Sequence, residues 1–282
     1  MRKTINILGV NFDVVSSDET LLKIDGWLST SHSFFGFRKQ YYIVTPNPEI
    51  LLEAQKNPEF KDILNNADLS IPDGIGVLWA SKFQKIAQQE DTKWKRFGKW
   101  IASLGMIGLS KKYIRTELPE RVTGVDLMER MCLLAAEKKH SIFLLGAADG
   151  VAEKTAEKLK QKYPELQIVS TFAGTPNEGD DKQIVEYINA FKPELLFVAY
   201  GAPKQELWID RNLKHLDTVK VAIGVGGAFD FISGLQKRAP KFFQKYGIEW
   251  MYRLYRQPTR AKRIWNAVVK FPIKIYKAKI DK

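Results

Sequence analysis

Most of the chain alternates short, wholly apolar runs with longer stretches in which apolar positions recur every three or four residues. The runs Tyr41-Tyr42-Ile43-Val44, Ser141–Leu145, Gln167–Ser170, Leu195–Tyr200 and Val219–Val225 predict buried strands. The amphipathic stretches predict helices over 18–30, where Ser17 serves as cap, over 124–138, from Gly150 to Tyr163, over 180–190 and over 203–213. Residues 4–15 add two short strands around Gly9-Val10-Asn11. Repeated strand–helix units of this kind imply an α/β fold, a mostly parallel sheet with helices on both faces.

In such a sheet, ligands bind outside the carboxyl ends of the strands, so the turns that follow each strand become the candidate site. The stretch Leu69-Ser70-Ile71-Pro72-Asp73-Gly74-Ile75-Gly76-Val77 sets one carboxylate where a strand hands over to a helix. Pro72 fixes φ, and the glycines permit close approach of a neighbour or ligand. Asp73 is thus the first candidate for chemistry; the competing reading makes it a cap for the helix that follows. Thr45-Pro46-Asn47-Pro48-Glu49 lies at another strand end, offering a hydroxyl and an amide from Thr45 and Asn47, or only a turn with Asn47 as N-cap.

Three further strand ends carry glycine. Gly146-Ala147-Ala148-Asp149-Gly150 has the setting for a phosphate or ribose at a helix start, but lacks the G-x-G-x-x-G spacing of a dinucleotide fold, which disfavours NAD. Tyr200-Gly201-Ala202-Pro203-Lys204-Gln205-Glu206 combines a flexible glycine, a proline suited to a first helical turn, a cation and an amide, a set that suits a nucleotide. Gly224-Val225-Gly226-Gly227-Ala228-Phe229-Asp230 offers backbone amides to the same edge.

Composition narrows the class. Of 282 residues, 45% are hydrophobic and 27% charged, as expected of a folded globular chain rather than a disordered one. The lone Cys132 sits in an apolar helical pattern as a packed thiol, and three scattered His give no zinc spacing. No signal peptide is read at the N-terminus, and the cytoplasm is the expected compartment.

Charge divides the chain more sharply. Residues 237–282 hold 14 Lys+Arg against 2 Asp+Glu, which accounts for the whole formal net charge of +12. Nine aromatics are interleaved with those cations, a combination that suits an anionic membrane surface or a nucleic acid. A second basic stretch, Lys93 to Arg115, has seven cations and no acid around an apolar run of about half a bilayer span. It reads as a surface-seeking or partner-docking hairpin, or as a loop that folds over the cleft. The expected layout is therefore a core over 1–236 with a basic-apolar insertion at 84–118, and a membrane-associating appendage over 237–282.

Together with Arg121-Val122-Thr123-Gly124-Val125-Asp126, the four motifs around Thr45, Asp73, Gln205 and Gly226 resemble, in order and register, the WecG/TagA/CpsF glycosyltransferases, glycosyltransferase family 26. The resemblance runs from about residue 4 to 263 and implies a Rossmann-like GT-E fold. It further implies an inverting transferase that moves a sugar, often N-acetylmannosamine, from a UDP donor to a polyprenyl-diphosphate-linked acceptor. By resemblance, Asp73 is the general base, Thr45, Asn47 and Arg121 join it in catalysis, and Gln205 binds substrate. Lys204, Gly201, Glu206, Gly146, Gly226, Gly227, Asp230 and Arg256 are candidates for the substrate-binding shell. The family's C-terminal catalytic arginines fall on Arg253, Arg260 and Arg263, and the family suggests dimers or larger assemblies.

Arg253, Arg256, Arg260 and Arg263 would share one face of a single helix, with Pro258 able to start a second one instead. No D-x-D triplet is present, Gly179-Asp180-Asp181 being the nearest acidic pair, so arginines rather than a metal are expected to hold the departing diphosphate. The rival reading is a nucleic-acid-binding α/β protein with a basic tail.

Overall fold

The computed structural model describes residues 2–30, 39–90, 92–240, 242–243 and 249–278. A hairpin of β1 (Thr4–Ile7) and β2 (Val10–Asp13) precedes a six-stranded sheet built from β3 (Tyr41–Val44), β4 (Leu69–Ser70), β5 (Ser141–Gly146), β6 (Gln167–Phe172), β7 (Leu195–Ala199) and β8 (Val221–Gly224). Its order is β4-β3-β8-β7-β5-β6, and every pairing is parallel, so all six carboxyl ends lie on one edge.

Strand periodicity divides the core in two. Tyr42, Val44, Phe143, Leu145, Leu196 and Val198 face one layer of buried side chains, while Ile43, Ile142, Leu144, Leu195, Phe197 and Ile223 face the other. Both faces are covered by helices, which is why these strands read as continuous apolar runs rather than alternating ones. The helix Gly124–Lys138 buries Cys132 as expected, and burial pushes its thiol far above the usual range, leaving it inert. The first helix runs Ser17–Ser29, and its cap is Ser16, one residue before the expected one, because Glu19 completes a capping box with it.

The N-terminal hairpin has a structural task. Leu8 and Gly9 both take positive φ, the two-residue turn that matches strand twist. At its far end Asp13, almost fully buried, accepts two 2.6 Å bonds from Arg2 and a 2.8 Å bond from the Ser70 N–H. A buried carboxylate thereby fixes the two-residue edge strand β4 in place.

Between the other strand ends, a buried amide serves as a bracket. Gln205 Oε1 accepts from the Gly201 N–H after β7 (3.1 Å) and from the Gly226 N–H after β8 (2.9 Å), while its Nε2 donates to Glu206 Oε1 (2.8 Å). Gly224 leaves room for this side chain, since a Cβ there would lie 2.5 Å from Gln205 Nε2. Glu206 itself is only 2% exposed, and among the described residues its Oε2 and the buried Tyr42 hydroxyl have no hydrogen-bond partner.

Burial raises the Glu206 carboxyl from 4.5 to about 7, against the opposing bond from Gln205. The native state therefore binds more protons than the unfolded chain across that interval, and stability falls as pH rises through it. From about pH 5 to about pH 8, urea unfolding should show the wild type losing on the order of 3 kcal/mol more than Glu206→Gln. Parallel pH profiles for the two proteins would contradict this.

Candidate active site

The parallel pairing of β3 and β4 does not stop where the strands stop. After Ile43 and Leu69, and Val44 and Ser70, the Ile71 N–H donates to Val44 O (2.9 Å) and the Asp73 N–H to Pro46 O (3.1 Å). Asp73 is thereby laid beside Thr45-Pro46-Asn47, half-buried at the carboxyl edge. The next helix, Ile75–Gln88, takes Gly74 at φ +104° as its N-cap and receives no side-chain cap. Asp73 is therefore not the helix cap, and one of its two sequence readings falls away.

Asn47 does serve as a cap: its Oδ1 accepts from the Glu49 and Ile50 N–H groups at 2.9 and 3.1 Å and starts the helix Pro48–Ala54. Thr45 is buried just before it. Gly76 lets the helix after Asp73 touch that loop, since a Cβ there would come 3.0 Å from Pro48 Cγ. Arg121 arrives through the Val122 N–H, which donates to Pro72 O (3.2 Å), and its Nη2 bonds Glu249 Oε1 at 2.7 Å. Thr123 caps the following helix, and Asp126 binds both Thr123 (2.6 Å) and Arg238 (2.7 Å). Burial raises the Asp126 carboxyl, but the bonds from Arg238 and Thr123 outweigh it and hold it below its ordinary value.

The substrate-shell candidates separate by what their atoms already do. Gln205 is 3% exposed and turned inward, so the bracket consumes its amide oxygen and the Gly201 and Gly226 N–H groups. Glu206 is buried beneath it, whereas Lys204 is exposed. Gly146 is required for packing: a Cβ would meet the Ala199 carbonyl carbon at 2.9 Å and the Tyr200 ring at 3.1 Å. Gly227 caps the short helix Ala228–Ile232. Asp230 accepts from Gln236 Nε2 at 2.9 Å, and burial raises its carboxyl while Arg260 opposes that shift, which places the Arg260 guanidinium within electrostatic reach.

The basic tail runs back across this edge. It is pinned by Arg238 to Asp126, by Glu249 to Arg121, and by Arg263, whose Nε and Nη2 meet the Glu49 carboxylate at 2.8–3.1 Å. Beyond these, Phe271 and Ile275 of the helix Phe271–Lys277 are fully buried. The four arginines do not share one helix. Helix Glu249–Arg256 ends at Gln257, a 3₁₀ turn Pro258–Arg260 follows, and helix Ala261–Trp265 restarts the rod, because Pro258 cannot supply the N–H that continuation needs. Arg256 is exposed on the first segment, and the Arg253 side chain lies outside the described residues.

The acidic partners Glu49, Asp126 and Glu249 were not read from the sequence as site elements. The signal for Glu249 was available, since it and Asp281 are the only acids of the tail. No group of three His, Cys, Asp or Glu among the described residues is arranged to hold a metal ion. The Asp180-Asp181 pair is structural: Asp181 receives Arg211 at 2.9 and 3.2 Å.

One carboxylate is thus fixed at the carboxyl edge of a parallel sheet, and cations from the far end of the chain pack onto the same edge. The glycosyl transferase WecG/TagA/CpsF family model matches residues 5–97 and 101–282, passing through the basic stretch after Lys93 except at 98–100. An N-acetylglucosaminyldiphosphoundecaprenol N-acetyl-beta-D-mannosaminyltransferase of Bacillus spizizenii is 36% identical over 226 residues, 80% of this chain and 75% of that protein. The enzyme with that same name from Staphylococcus aureus strain MRSA252 is 31% identical over 277 residues, 98% of this chain and 93% of its own. With both motif order and full-length similarity in agreement, the chain belongs to the WecG/TagA/CpsF family and is a glycosyltransferase.

Proposed function

We propose that this glycosyltransferase moves N-acetylmannosamine, or a closely related hexose, from a UDP donor to a sugar on a polyprenyl diphosphate, with inversion, as a step in cell-envelope polysaccharide or teichoic acid synthesis. The observation that carries the assignment of roles is the ladder that extends from β3 and β4 and sets Asp73 beside Thr45 and Asn47 without using it as a helix cap. The names of the relatives support the substrate class.

In the proposed reaction an acceptor hydroxyl attacks the anomeric carbon, its proton passes to the Asp73 carboxylate, and the bond to UDP breaks on the opposite face. Negative charge grows on the departing diphosphate, and this reading assigns Arg260 and Arg263 to receive it. Arg263 is held by Glu49, but its side chain is 61% exposed, and a solvated pair of this kind contributes only about 0–1 kcal/mol. A dianionic diphosphate can therefore displace Glu49 from it. Gln205 and Glu206 serve as positioning residues in this scheme, keeping the ends of β7 and β8 at a fixed separation, and Arg121 couples the core to the tail through Glu249.

The acceptor would reach the site from a membrane. Among the described residues no helix is long and apolar enough to cross one, and the tail's cations and aromatics support peripheral attachment to an anionic cytoplasmic leaflet.

Three measurements test the scheme. With UDP-N-acetylmannosamine and a polyprenyl-diphosphate-N-acetylglucosamine analogue, Asp73→Asn should lower kcat by roughly 10²–10⁴-fold with little change in KM, and EDTA should leave wild-type turnover unchanged. Near-normal turnover of the variant would remove Asp73 as base, and loss of activity on chelation would overturn the role of the arginines. Arg263→Ala should lower kcat/KM for the UDP-sugar about tenfold, the equivalent of ~1.4 kcal/mol, chiefly through kcat, and an unchanged kcat/KM would detach Arg263 from the departing diphosphate.

A further inference from the structure

The basic stretch after Glu90 folds as a 17-residue helix, Lys93–Leu109, and it is apolar on two faces. One face packs inward. Ser103 Oγ accepts from Trp79 Nε1 at 3.0 Å, Trp100 Nε1 donates to Pro272 O at 3.2 Å, and the Trp100 ring lies 5.3 Å from that of Tyr276. The Arg96 guanidinium sits over the same Tyr276 ring at 5.4 Å.

The adjoining face, which begins at the Phe97 ring 5.8 Å from that of Trp100 and 5.9 Å from that of Tyr276, is inverted with respect to water. Trp94, Phe97 and Ile101 recur at helical spacing with 83%, 43% and 51% of their surfaces exposed, and the positions beside them are Gly98, Ala102 and Gly105, also exposed. An amphipathic helix on a globular protein ordinarily turns such a stripe inward. Here the stripe is flanked by exposed Lys93, Lys95 and Lys99, of which Lys99 pairs with Glu90, and no acid occurs between residues 93 and 115. The helix Phe271–Lys277, docked against it through Pro272 and Tyr276, adds exposed Ile273 with Lys274 and Lys277, and the turns just before it expose Trp265, Val268 and Lys270.

We propose that the helix Lys93–Leu109 is an interfacial lipid anchor that lays Trp94, Phe97 and Ile101 into the headgroup–acyl boundary of an anionic bilayer while its lysines contact the headgroups. Charge complementarity selects this occupant. A second copy docked on the same patch would bring two acid-free basic helices together, which like-charge repulsion opposes. An anionic membrane instead satisfies both components, since aromatic and aliphatic groups enter the interface and each lysine near the surface gains attraction to the headgroups. Because the helix is clasped to the tail, the anchor and the tail would be held against one surface. The proposal rests on the reading above only in taking the acceptor to be membrane-borne.

The test is co-sedimentation of the full chain with vesicles of phosphatidylcholine alone or with about one-third phosphatidylglycerol, an anionic fraction within the range that gives a surface potential. The triple variant Trp94→Ser/Phe97→Ser/Ile101→Ser should partition onto anionic vesicles at least ~30-fold less than wild type, the scale expected from withdrawing three large apolar groups. Leu22→Ser, an equally exposed apolar position on another helix, should partition as wild type does. Lys93→Glu/Lys95→Glu keeps the apolar stripe and should lose binding to anionic but not neutral vesicles, which covers the case of a misfolded triple variant.

Turnover of a short-chain, water-soluble acceptor is measured alongside and should be retained by the triple variant. Failure of wild-type turnover would count against the enzymatic reading and not against the anchor. Vesicle partition within twofold of wild type for both variants would overturn the anchor. So would a wild-type dimer that the triple variant dissociates without any vesicle present.

Discussion

The two bonds that carry parallel pairing past the last residues of β3 and β4 set the geometry of everything at the carboxyl edge. Val44 and Pro46 carbonyls receive the Ile71 and Asp73 N–H groups, so the candidate base cannot drift from the Thr45–Asn47 loop without breaking the ladder. A two-residue strand is a weak platform by itself. It is made firm by Asp13, whose buried carboxylate receives both Arg2 and the Ser70 N–H, and by Gly74, which takes the N-cap position and turns the chain into a helix. The backbone of the candidate base is therefore fixed by the ladder, and its half-buried side chain lies at the carboxyl edge.

Electrostatics then joins the two ends of the chain. The core over residues 1–236 is formally neutral, and the tail carries the entire positive excess, yet the tail does not extend away. Asp126, Arg121 and Glu49 lie along the edge and meet Arg238, Glu249 and Arg263 in turn. The Arg238–Asp126 and Arg263–Glu49 pairs are partly solvated and individually weak, whereas Arg121–Glu249 is largely buried, so the tail is held at Glu249 and only guided across the site on either side of it. Its firm attachment is apolar, through Phe271 and Ile275. Such a strap is anchored at one end, and the proposed function has its Arg263 trade an internal carboxylate for a substrate diphosphate.

How much of this the sequence discloses follows from where each feature's cause resides. The strands were legible because both sheet faces are buried, which makes continuous apolar runs, and the Asp73 turn was legible because proline and glycine punctuate it locally. Asn47 was legible as a cap for the same reason. The direction of Gln205 was not, because its inward turn depends on two glycine amides and a buried carboxyl contributed by separate strand ends. Nor was the inverted stripe on Lys93–Leu109, since periodicity shows that a helix has an apolar face but not which face the fold covers. The break at Gln257 could be anticipated from Pro258, whereas the pairing of Arg263 with Glu49 is a tertiary fact with no local signature.

The central claim is that backbone pairing at the end of β4 aims the Asp73 carboxylate at the acceptor. A crystal structure of the protein with UDP and a short-chain acceptor analogue measures this directly. The account predicts an Asp73 carboxylate oxygen within hydrogen-bond reach, about 2.6–3.2 Å, of the attacking hydroxyl, with Asp73 N–H still bonded to Pro46. An acceptor bound with its hydroxyl directed at some other base, and Asp73 turned from the cleft, would contradict it.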